Sequence, residues 1–127
     1  MKRKIIFTKK APAPIGPYNQ AIKIDKTLFI SGQIPMNQSM ELVQNDLKDE
    51  VNQVMMNLKE ILIAANMNFS NVVKSSIFID DMDNFQTINE EYAKYFKKGE
   101  EPARETIAVK SLPKNARVEI SVVAYEK

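Results

Sequence analysis

Seven apolar residues between positions 45 and 66, namely Leu47, Val51, Val54, Leu58, Ile61, Leu62 and Ala65, recur at helical spacing along one stripe. A helix of that length with one apolar face must bury that face, so the rest of the chain has to supply a surface for it to cover. Asn45 or Asp46 can cap its start. The spacing predicts a second helix over about 84–98, with Phe85, Ile88, Tyr92 and Phe96 inward, Asp83 at its start and Gly99 just beyond its end.

The surface to be covered is a sheet. Two apolar-rich runs, 20–24 and 27–31, flank Asp25-Lys26 and predict a β-hairpin. Residues 72–79 form a strand between the helices, and 4–8, 105–110 and 117–125 bring the total to about six. This order predicts one α+β domain over 1–127, a single mixed sheet with both helices packed on one face. On the last strand Val118, Ile120, Val122 and Ala124 share the face that belongs under the helices. Arg117, Glu119, Ser121, Val123 and Tyr125 share the other, a mixed face that suits a subunit contact better than full solvation.

Composition excludes more than it selects. The 127 residues are 44% hydrophobic and 27% charged, with a formal charge of +2, too small to indicate a nucleic-acid partner. Lys2, Arg3, Lys4, Lys9 and Lys10 cluster near the start but suit a solvated terminus. Only Ile5-Ile6-Phe7 follow the basic opening, and no stretch approaches the roughly 18 apolar residues of a membrane span, so a cytoplasmic, membrane-free protein is expected. The chain has neither Cys nor His. Ser-His-Asp and Cys-His nucleophile systems and the usual zinc sites are therefore closed to it, and neither metal nor cofactor is expected. Three glycines cannot build a glycine-rich phosphate loop.

Arg104 follows Pro102 at the entrance to a strand, where its planar fork of donors can meet a carboxylate. The alternative is a surface arginine paired with Glu100, Glu101 or Glu105. If 111–116 connects the last two strands as neighbours, Ala108 lies opposite Glu119, Thr106 opposite Ser121 and Arg104 opposite Val123. That register puts Arg104, Thr106, Glu119 and Ser121 on one face, and a one-residue slip would separate them. Glu119, between Val118 and Ile120, is then either a partly buried acid or base or one charge of an exposed face. Tyr18 can offer a phenol or pack its ring on the domain, and Asn89 can offer an amide or face solvent. Gly32, just after Ser31, allows a sharp exit or close approach of a ligand. The seven methionines read as core filler.

Four blocks, Ala13-Pro14-Ile15-Gly16-Pro17-Tyr18, Phe29-Ile30-Ser31-Gly32-Gln33-Ile34-Pro35, Pro102-Ala103-Arg104 and Val118-Glu119-Ile120, closely resemble the RidA (YjgF/UK114) family over nearly the whole chain. The resemblance implies a chorismate-mutase-like α+β fold, a homotrimer with clefts between subunits, and cofactor-independent hydrolysis of 2-iminobutanoate and 2-iminopropanoate to 2-keto acids and ammonia. By the same resemblance Arg104 would clamp the substrate carboxylate, the backbone of Thr106 would bind the imine end and Glu119 would hold the attacking water. Tyr18, Ser31, Gly32 and Asn89 would complete the cleft. Thr106 departs from the Cys, and Glu105 from the small Ser, found at these positions in well-studied members. A non-catalytic module binding 2-keto or amino acids is the alternative, and RNA cleavage, which the small charge argues against, is a third.

Overall fold

The structure, a computed structural model, describes residues 1–127. Its strands are β1 (Arg3–Ile6), β2 (Ala21–Ile24), β3 (Thr27–Gln33), β4 (Val72–Ile79), β5 (Ala103–Ala108) and β6 (Val118–Tyr125), with helices α1 (Leu47–Ala64) and α2 (Phe85–Ala93). They form one six-stranded mixed sheet in the order β1-β2-β3-β6-β4-β5. Neither helix is long and apolar enough to cross a membrane.

Local chemistry sets most boundaries. Asp46 caps α1, its carboxylate accepting from Asp49 N–H at 2.8 Å. The hairpin of β2 and β3 turns at Asp25, which adopts a positive φ of 51°. The second helix is shorter than its apolar spacing suggests. Asp81, rather than Asp83, caps a 3-10 turn over Met82–Asn84 that leads into α2. Beyond Ala93, Lys94, Tyr95 and Phe96 bond three residues back, which tightens the chain out of α-helical form before Gly99.

The apolar stripe of α1 lies on the sheet as its spacing requires. Val51, Val54, Met55, Leu58, Ile61 and Leu62 are fully buried against Leu28, Ile77, Val118 and Ile120 within one core cluster. β6 is central because four alternate residues, Val118, Ile120, Val122 and Ala124, are buried there. β5 has no buried residue, and such a short strand belongs at an edge.

This placement overturns the expected neighbourhood of the last two strands. β6 pairs antiparallel with both β3 and β4, and β5 pairs only with β4, in parallel. The register aligns Arg104 with Ser75 and Val122, and Thr106 with Ile77 and Ile120, all on the helix-covered face. Glu119 aligns with Phe78 and Ile107, and Ser121 with Ser76 and Glu105, on the opposite face. Arg104 and Thr106 are thus separated from Glu119 and Ser121 by the sheet itself. That opposite face carries an apolar band, Ile5, Ile22, Phe29 and Val123 in one cross-strand row with Phe78, Ile107 and Tyr125 nearby. Ile5, Phe29, Ile107 and Tyr125 are exposed.

Truncating the core and truncating the surface should differ sharply. Leu58→Ala should cost about 2–5 kcal/mol in urea unfolding. Ile63→Ala, at a position 51% exposed on the same helix, should stay within about 0.5 kcal/mol.

Candidate functional site

Two clusters hold the residues singled out in the sequence. The first lies where β3 ends. Ile30 pairs with Val122 and Gln33 with Ile120, so Ser31 and Gly32 together oppose Ser121, a bulge. The bulge brings the backbone of Gly32 against the Glu119 side chain. A Cβ at Gly32 would sit 2.7 Å from Glu119 Cδ, so any larger residue must displace the carboxylate. The loop after β1 closes over this point. Buried Gln20 fastens it, donating to Thr8 O at 3.0 Å and Pro12 O at 2.9 Å while accepting from Thr8 N–H at 2.8 Å.

Between loop and sheet is a cavity of about 370 Å³. Pro12, Ala13, Ile15, Ile34, Met36 and Pro113 make its walls largely apolar, and Tyr18, Ser31, Gly32 and Glu119 also line it. Glu119 is the one charged lining residue, and burial pushes its carboxyl above the usual carboxylate range. Ser31 Oγ donates to Asn19 O at 2.6 Å, which leaves its lone pairs open. Tyr18 is half exposed, its hydroxyl accepting from Ile15 N–H at 3.2 Å. Its ring lies close to Gly16.

The second cluster is at the β5 edge, under α2. Arg104 Nη1 donates to Asn89 Oδ1 at 2.6 Å, and its guanidinium lies 5.8 Å from the Phe85 ring centroid and 5.2 Å from that of Tyr92. It pairs with no carboxylate. Glu105 is taken by Lys74 and Ser76 on the other face, Glu100 by Lys97, and Glu101 accepts from Gly99 N–H. The surface-pair alternative for Arg104 therefore fails, and Asn89 faces the arginine rather than solvent. The Asn89 amide holds the cation without neutralising it.

Thr106 follows on the same face. Val109 N–H bonds Ile79 O across the β4–β5 pair, and alternation along the strand turns the N–H and C=O of Thr106 to the free edge. Its hydroxyl is buried without a partner. Phe85 and Tyr92 are legible in the sequence only as core residues. Together with Asn89 they stand at i, i+4 and i+7, one face of α2, which is the signal that groups them.

The Endoribonuclease L-PSP family model matches residues 8–126. The chain is 46% identical to the mouse 2-iminobutanoate/2-iminopropanoate deaminase over 125 residues, 98% of this chain and 92% of that protein. It is 44% identical to a RutC family protein of Pyrococcus horikoshii over 126 residues, 98% and 99% of the two chains. Among solved structures, yeast Mmf1 superposes with a TM-score of 0.95 at 38% identity, covering 99% of this chain and 100% of that one. E. coli TdcF with bound serine superposes with a TM-score of 0.92 at 35% identity, covering 98% and 99%.

The raised carboxyl of Glu119 has a consequence for stability. The folded state holds this proton more tightly than the unfolded chain, so Glu119 costs stability increasingly as pH rises from the ordinary glutamate value of about 4.3 through the higher folded midpoint. Glu119→Gln should remove that cost, unfolding at higher urea than the parent at pH 8 and converging with it near pH 4. Carbon-detected titration of the Glu119 carboxyl should give a midpoint above those of the solvent-exposed glutamates.

Proposed function

We propose that the chain, which belongs to the Endoribonuclease L-PSP family, also called RidA or YjgF, hydrolyses small 2-imino acids to 2-keto acids and ammonia. One observation carries the reading. A single protomer holds a cation with no carboxylate partner on one sheet face and a carboxylate with a raised pKa in an apolar cavity on the other. Each lacks what the other has.

Two copies of the chain can join them. The apolar band beside Glu119 needs cover, and β5 presents an edge with unpaired backbone groups. A cyclic assembly, in our reading the homotrimer, sets the β5 edge of one copy against the Glu119 cavity of the next, so that each cleft takes Arg104, Thr106 and Asn89 from one subunit and Tyr18, Ser31, Gly32 and Glu119 from another. The mammalian relatives named as deaminases and the serine held by TdcF both support a carboxylate ligand of amino-acid size.

In such a cleft the free Nε and Nη2 donors of Arg104 take the substrate carboxylate, and the outward N–H and C=O of Thr106 fix the imine end. Water held by Glu119 adds to the imine carbon. A C–O bond forms as the C=N π electrons pass to nitrogen, and Glu119 takes the proton that water gives up. The same carboxyl returns that proton to nitrogen and then takes the hydroxyl proton as the C–N bond breaks, so that the carbonyl forms, and ammonia leaves and carries that proton away as ammonium. A raised pKa suits a group that must both accept and return a proton. A protonated imine is already electrophilic, so orientation and proton transfer suffice.

The test couples a threonine dehydratase, which releases 2-iminobutanoate, to the detection of 2-oxobutanoate. Wild type should accelerate its release over buffer. Arg104→Ala, losing two charge-assisted hydrogen bonds of about 1.5–3 kcal/mol each, should lower kcat/KM by about 10²–10⁴. Glu119→Gln should lower kcat by about 10²–10⁴ while leaving 2-oxobutanoate binding by calorimetry nearly unchanged. Binding without any turnover in the wild type would favour a 2-keto or amino acid sensor instead.

A further inference from the structure

Three residues of one α2 face surround the Arg104 guanidinium, and one of them is held far more firmly than packing requires. The Tyr92 hydroxyl donates to Ser75 Oγ at 2.7 Å, with both residues buried, and its ring packs on Phe96 at a centroid distance of 4.8 Å. Ser75 is the residue directly across from Arg104 in the β4–β5 pair. The three residues thus stand together: Ser75 beside Arg104 in the β4–β5 register, the Tyr92 hydroxyl on Ser75, and the Tyr92 ring beside the Arg104 guanidinium. Burying a phenol and a hydroxyl beneath a helix costs stability unless each satisfies the other, and a Phe–Ala pair would fill the same space without that risk. What the polar pair adds is a fixed ring orientation.

That orientation matters because of which donors remain. Asn89 engages Nη1, and the Tyr92 and Phe85 rings lie beside the planar group, so rotation about the last bonds of Arg104 is restricted. No acceptor meets Nε or Nη2. We propose that Tyr92, anchored by Ser75, is a positioning residue that sets the plane of the Arg104 guanidinium and turns its Nε/Nη2 edge toward an incoming carboxylate. The carboxylate half of this statement rests on the functional reading above; the half concerning the guanidinium does not.

The test therefore has a readout that needs no ligand. In the free wild-type protein the Arg104 guanidinium resonances should be displaced by the two aromatic rings, and rotation about its Nε–Cζ bond should be at least about tenfold slower than in Arg3, which is exposed. Tyr92→Phe keeps the ring and loses the anchor; Ser75→Ala removes the acceptor. Each should return the Arg104 resonance toward that of Arg3 and raise KM for 2-iminobutanoate and Kd for 2-oxobutanoate about three- to tenfold, with kcat within about twofold. The double variant should be no worse than either single one, because both break the same bond. A wild-type Arg104 guanidinium that rotates about Nε–Cζ as fast as that of Arg3, or losses from Tyr92→Phe and Ser75→Ala that simply add, would overturn the proposal. Failure of wild type to bind or turn over any 2-oxo or 2-imino acid would sink the functional reading instead, while the resonance still decides the positioning role.

Discussion

Everything in this fold depends on β6 lying at the centre of the sheet. Its buried face, Val118, Ile120, Val122 and Ala124, is the floor on which α1 rests, and burial of such residues at about 25 cal/mol per Å² is the main term holding the two layers together. The same pleat that sends these four side chains under the helices sends Glu119 and Ser121 to the opposite face. Glu119 is therefore held on a strand paired along both edges, against a glycine bulge in the neighbouring strand.

The cost of that arrangement falls on β5. Displaced to the edge by the β4–α2–β5 crossover, it carries Arg104 on the helix side, two strand positions from β6 and Glu119. Strands lie about 4.8 Å apart, so roughly 10 Å of sheet, as well as its thickness, stands between the two halves of the proposed site. No rotamer of Arg104 closes that gap within one protomer. The apolar band and the open β5 edge, features that a lone protomer would do better without, are what a neighbouring copy would use to bring the halves together.

Much of this architecture is legible in the sequence itself. Helical periodicity places α1 to within two residues at each end, the run at 72–79 is β4, and alternation identifies the buried face of β6. What periodicity cannot carry is which strand lies beside which. The hairpin expected of β5 and β6 fails because adjacency in sequence is not adjacency in space, and β4, with four buried residues, competes better for the place beside β6. The side of the sheet on which Arg104 stands changes with it. The residues around Arg104 stay hidden for a different reason: Tyr92 and Phe85 sit at core spacing, and nothing in a one-dimensional pattern separates an aromatic that fills space from one that orients a cation.

The central claim is that Arg104 and Glu119 act on one ligand from two copies of the chain. Co-refolding equal amounts of Arg104→Ala and Glu119→Gln protein, each expected to be strongly impaired alone, tests it directly. If clefts are shared between subunits, random mixing makes about a quarter of them intact in both residues, and that fraction of wild-type imine hydrolysis should return. A mixture that assembles but hydrolyses no faster than its two parents would contradict the shared cleft.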